Sequence, residues 1–211
     1  MWSPMKKSIA KKTDWRISPY EAVVIGVSSG GLEALARVLP ALVKGFRLAL
    51  IIVQHLHPHS DNYLARHLDE KSVISVQEAE EREPIQPGHV YIAPPNYHLL
   101  IEADKTFALD TSAKVCYARP SVDVLFETAA AAYGPRLIGI ILTGANSDGS
   151  QGLKTIKARG GLTIVQDPAT AEADAMPKAA LAATNVDYVL ALAEIADLLN
   201  QISLNQTPPV S

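Results

Sequence analysis

The chain has 211 residues, 48% of them hydrophobic and 19% charged, with a net charge of −3. That length suits one domain with a full core, and the charge balance excludes a general nucleic-acid binder. The longest aliphatic run, residues 48–53, is far shorter than the roughly 18 apolar residues of a membrane span, so no membrane insertion is expected.

Residues 1–19 carry Lys6, Lys7, Lys11, Lys12 and Arg16 against Asp14, a net of +4 that leaves −7 for the remainder. This predicts a solvated, disordered basic leader over 1–20, and Asp14, Trp15 and Arg16 interrupt any signal-peptide core. Residues 23–26 predict a strand. Residues 31–43 predict a helix, with Leu32, Leu35, Leu39 and Leu42 at spacings of three and four. The run 48–54 is apolar nearly throughout, as a strand covered on both faces should be. Ser60 opens a predicted helix over 60–68 as its cap. A strand follows at 73–77. The short runs 89–93, 97–102 and 106–110, parted by PPN and ADK turns, predict an antiparallel hairpin. Cys116, the one cysteine, excludes an intramolecular disulfide and fits a reducing, cytoplasmic compartment.

Further on, 121–133 predicts a helix, 137–142 an apolar strand, and 149–159 a helix closed by Gly160 and Gly161. Residues 162–166 predict a strand. Helices at 177–183 and 191–202 flank a short strand near 187–190, and 204–211 reads as a flexible tail. The alternation predicts an α/β fold over 21–203. It is a three-layer, doubly wound, mostly parallel sheet with helices on both faces and a small antiparallel hairpin.

Function gathers where parallel strands end, which selects three loops: 26–31, 54–60 and 143–149. In the first, Gly26-Val27-Ser28-Ser29-Gly30 fits the Gly-x-Ser-x-Gly elbow that pushes a serine hydroxyl into the open. Its glycine spacing fits neither the dinucleotide fingerprint nor a phosphate loop. The competing reading is a packed turn with a capping serine. A nucleophile needs a base and an orienting acid. His55 directly follows the second apolar run, and adjacent strand ends lie roughly 5 Å apart, within reach of Ser28. His57 and His59 raise a metal site as a rival, but Pro58 breaks the extended spacing, so no metal and no cofactor is expected. Asp148 in the third loop either caps the helix it precedes or orients the imidazole. The chain order Ser28, His55, Asp148, with only about 20 residues before the first strand, excludes a standard α/β-hydrolase. Tyr91 and Met176 read as core, and Asn96, His98 and Asp167 as turn residues.

Several motifs together resemble the chemotaxis receptor methylesterases, the CheB catalytic domain. They are Ile25-Gly26-Val27-Ser28-Ser29-Gly30-Gly31, Gln54-His55, Tyr91-Ile92-Ala93-Pro94, Arg119-Pro120-Ser121-Val122-Asp123, Thr143-Gly144-Ala145-Asn146-Ser147-Asp148-Gly149 and Ala175-Met176-Pro177-Lys178-Ala179. The match runs in order over about residues 22–200. The resemblance implies a serine esterase that hydrolyses glutamate methyl esters on chemoreceptor signalling helices, releases methanol, and also deamidates receptor glutamines. It implies Ser28 as nucleophile, His55 as base and Asp148 as orienting acid. Ser29 and Ala145 become oxyanion candidates, and Arg119 and Met176 substrate-side candidates. Methyl-accepting chemotaxis receptors are the implied partners. The chain departs from the family pattern where Met-Gly becomes Ala145-Asn146. That departure keeps a second reading open, a catalytically weakened binding module on the same fold. The familiar protein also carries an N-terminal receiver domain, which residues 1–20 cannot form. The expectation is therefore either control by a separate regulatory protein or a constitutive or truncated form.

Overall fold

Strand β1 (Ala22–Val27) is buried along its whole length because helices cover both of its faces. Val23, Ile25 and Val27 enter one core while Ala22 and Val24 enter the other, the two-residue period of extended chain. A computed structural model describes residues 20–55 and 62–205. The expected leader up to residue 19, the Ser60 cap, His57, His59 and the tail from 206 lie outside the described residues.

Seven strands form one parallel sheet in the order β3-β4-β2-β1-β7-β8-β9. They are β1, β2 (Ala49–Gln54), β3 (Ser75–Glu78), β4 (His89–Ile92), β7 (Leu137–Ile141), β8 (Leu162–Gln166) and β9 (Tyr188–Leu190). Helices α1 (Gly31–Val38), α2 (Tyr63–Asp69) and α6 (Leu192–Leu204) pack on one face. Helices α3 (Val122–Tyr133), α4 (Ser150–Ala158) and α5 (Ala175–Ala183) pack on the other. The three-layer α/β reading therefore holds. Among the described residues no helix is long and apolar enough to cross a membrane.

Two details differ from expectation. The α1 periodicity runs on to residue 43, but the helix stops at Val38 and tightens into a 3₁₀ turn at Leu39–Ala41. Pro40 has no N–H to give and cannot continue the ladder. The antiparallel hairpin consists of β5 (His98–Ile101) and β6 (Phe107–Asp110) alone. Residues 89–92 instead enter the main sheet between β2 and β3, where Val90, Tyr91 and Ile92 are fully covered.

Successive strands step to one side of β1 as far as β3 and β4, then resume on its other side at β7. The winding thus reverses beside β1, and the carboxyl ends of β2, β1 and β7 border the crevice that such a reversal opens.

Candidate active site

Ser28 and His55 each stand one residue beyond a strand, and backbone hydrogen bonds extend the sheet to include both. The Ser28 N–H donates to Thr143 O at 3.0 Å and the His55 N–H to Val27 O at 3.2 Å. Gln54, the last residue of β2, ties the two together. Its Nε2 donates to Ser28 O at 2.9 Å and to His55 O at 3.0 Å.

Asp148 is fully buried yet does not cap α4, the helix that follows it, whose own N-cap is Gly149. It reaches across to α3. Its Oδ2 accepts the Val122 N–H at 2.7 Å, and its Oδ1 accepts the Asp123 N–H at 3.0 Å and the Ser121 hydroxyl at 2.9 Å. Oδ2 also accepts from His55 Nε2 at 2.9 Å. Burial pushes the Asp148 carboxyl up, but the bonds from His55 and from the α3 amides outweigh it and hold the group below the ordinary carboxylate range. It is a carboxylate at neutral pH, so the proton in the pair sits on His55 Nε2. The other ring nitrogen, Nδ1, faces the Asn146 amide nitrogen at 3.2 Å.

A cleft of about 330 Å³ brings Ser28, His55, Arg119 and Asn146 to one surface, with Lys114 and Tyr117 at its rim. No hydrogen bond joins the Ser28 hydroxyl to the imidazole among the described residues. The backbone N–H groups of Ser29 and Ala145 likewise make no hydrogen bond among the described residues. Arg119 is tethered: its guanidinium donates to Asn96 Oδ1 at 2.8 Å, to Ser112 O at 2.7 Å and to Thr111 O. Met176 does not line this cleft but packs beside the same loop: it is buried, and a Cβ added at Gly144 would stand 1.9 Å from its sulfur and 3.0 Å from Ser28 Cβ. Ser28 also opens onto a larger cleft of about 690 Å³ between α1 and α2, lined by Leu32, Tyr63, His67 and Lys71.

Three supporting residues escaped sequence reasoning. Gln54 is the brace just described. Ser121, at the start of α3, adds a hydroxyl to the acid. His98, expected in a turn, is buried: Nε2 donates to Ala113 O at 3.1 Å and Nδ1 accepts the Ser121 N–H at 3.2 Å. The sequence signal for Ser121 was its place before a helix, the position of a capping residue. Gln54 stood in the Gln54-His55 motif without a role of its own, and nothing local marks His98.

Cys116, Asp123 and Asp148 offer ligand atoms within 4.8 Å of one another. The Asp148 oxygens are already filled by four donors, so the trio does not form an available metal set.

The CheB methylesterase family model matches residues 23–199. A putative protein-glutamate methylesterase/protein-glutamine glutaminase of Leptospira interrogans is 55% identical over 88% of this chain and 96% of its own length. The protein-glutamate methylesterase/protein-glutamine glutaminase of Symbiobacterium thermophilum is 38% identical, and there the chain spans 51% of the relative. The crystal structure of the Thermotoga maritima CheB methylesterase catalytic domain superposes with a TM-score of 0.84 at 39% identity, over 87% of this chain and 98% of that one.

Proposed function

The chain belongs to the CheB methylesterase family, and on that premise we propose that it hydrolyses glutamate methyl esters on chemoreceptor signalling helices. Its relatives' names also join glutaminase activity to the esterase, and the same chemistry serves both, with ammonia leaving in place of methanol. The compartment is the cytoplasm, in keeping with a single cysteine.

The observation that carries the reading is the pair of buried Asp148 and partly exposed His55, 2.9 Å apart, opening on a cleft that Ser28 also lines. Ser28 Oγ attacks the ester carbonyl while its proton passes to His55 Nδ1. Asp148 holds the proton on Nε2 and stabilises the imidazolium. The tetrahedral oxyanion is received by the free N–H groups of Ser29 and Ala145, each worth about 3 kcal/mol in the transition state. Collapse returns the proton to the departing methoxide, methanol leaves, and water then attacks the acyl-serine by the reverse proton path. Lys114 and Arg119 at the cleft suit a substrate rich in carboxylates. Replacement of the family's Met-Gly by Ala145-Asn146 leaves a backbone N–H at each position, which favours the esterase over a weakened binding module.

Methanol release from methylated chemoreceptor tests this. The wild type should turn over, and His55→Ala should lose activity by about 10³-fold or more. Labelling by a fluorophosphonate probe should vanish in Ser28→Ala. Equal methanol release by wild type and His55→Ala removes the assignment.

A further inference from the structure

Asn146 stands at a position where the family pattern carries glycine, and its contacts fix its orientation. Oδ1 accepts the Asp148 N–H at 3.1 Å, which turns Nδ2 toward His55 Nδ1 at 3.2 Å. With the ring proton on Nε2 against Asp148, Nδ1 is a bare acceptor, and an amide N–H is the group that matches it. An imidazole nitrogen has one lone pair, and hydrolysis needs that lone pair for the Ser28 proton. The serine hydroxyl and the Asn146 amide therefore compete for one acceptor.

We propose that Asn146 is a positioning residue that latches the base. Its amide occupies His55 Nδ1 in the resting enzyme and yields to Ser28 Oγ when an ester enters the cleft. Asn146 lines that cleft beside Ser28 and His55, so an entering chain meets the latch directly. The inference rests on the esterase reading above and adds a restraint on reaction with small probes, which lack the rest of a substrate to displace the amide.

The test is the rate of Ser28 labelling by a fluorophosphonate in the full chain, for wild type, Asn146→Ala and Asn146→Asp, with melting temperatures measured alongside. Asn146→Ala should label about fivefold faster, the worth of one neutral hydrogen bond. Asn146→Asp keeps an oxygen for the Asp148 N–H but turns a carboxylate onto Nδ1. It favours the doubly protonated ring and should slow labelling by about tenfold or more. A residue that merely braced the loop would leave Asn146→Asp near wild type. The ¹⁵N resonance of His55 Nδ1 should move toward that of an unbonded lone pair in Asn146→Ala. Asn146→Gly, the residue of the family pattern, repeats the rate test if the alanine protein melts early. Labelling of Asn146→Ala at or below the wild-type rate, or of Asn146→Asp at the wild-type rate, overturns the latch. Labelling that persists in Ser28→Ala overturns the esterase reading instead.

Discussion

The loops after β1 and β7 are built alike and used in opposite ways. Each leaves a buried strand and enters a helix through a left-handed glycine, Gly30 at φ 78° and Gly149 at φ 90°, and neither helix has a side-chain cap of its own. In the first loop the Ser28 hydroxyl is left without a hydrogen bond to the imidazole. In the second, the Asp148 carboxylate accepts four hydrogen bonds. Under the proposed mechanism the difference has a purpose. Ser28 as nucleophile must exchange partners during the reaction, so satisfying it in the resting state would raise the barrier. Asp148 as orienting acid must keep its partners, and every acceptor position is filled. Stability is concentrated in one loop and chemical freedom in the other.

The sharpest way to break this contrast is Asp148→Ala. It leaves two amides of α3 and the Ser121 hydroxyl buried without their acceptor, and frees the His55 ring. We expect a loss of about 3 kcal/mol or more in denaturant unfolding together with a fall in methanol release of about 10⁴-fold. Ser28→Ala should abolish activity while leaving the unfolding midpoint almost unmoved. If both variants unfold alike, the two loops do not differ as described.

Gln54→Ala probes the seam between the loops. Removing its amide cuts the tie between Ser28 O and His55 O, while the Ser28 carbonyl keeps the Gly31 N–H at 2.9 Å. A loss of about 1–2 kcal/mol in stability is expected. Activity should fall further than stability, by about tenfold or more, because small misplacements of nucleophile and base are costly. Unchanged kcat would mean that the strand ends alone hold the register.

Much of this arrangement was legible in the residues. The aliphatic runs of β1, β2 and β7 located three buried parallel strands, and parallel winding then placed Ser28, His55 and Asp148 at one edge. Asp148's other role was not legible. Local grammar pairs an aspartate with the helix just after it, whereas this one caps a helix that begins 26 positions earlier. Only the packing of α3 against α4 makes that contact, and no spacing in the sequence encodes it. His98 was misread for the same reason, since its two ring nitrogens are satisfied by residues 15 and 23 positions away. The hairpin was overcounted because three short runs in series look alike until the sheet selects one of them.

The smallest expected effect comes from inside the acid's own surroundings. Asp123 lies in the first turn of α3, buried, with Oδ1 accepting the Gly152 N–H at 2.7 Å. Burial raises its carboxyl, and the neighbouring Asp148 charge raises it further against the help of that amide. The two carboxyls therefore have opposite linkage. Asp148, held low, contributes stability that is present above the unfolded pKa of about 3.9 and is lost as pH falls through its folded value. Asp123, held high, binds its proton more tightly in the folded chain. Stability consequently declines as pH rises from about 3.9 through its folded value and stays lower above it. Asn at 123 keeps an oxygen for the Gly152 N–H and removes the charge. Asp123→Asn should thus be more stable than wild type at pH 7, with the gain shrinking as pH falls toward 4, in urea unfolding measured across that range. A gain that is constant with pH would trace the effect to packing, and a loss at pH 7 would mean that the Asp123 charge itself supports the acid loop.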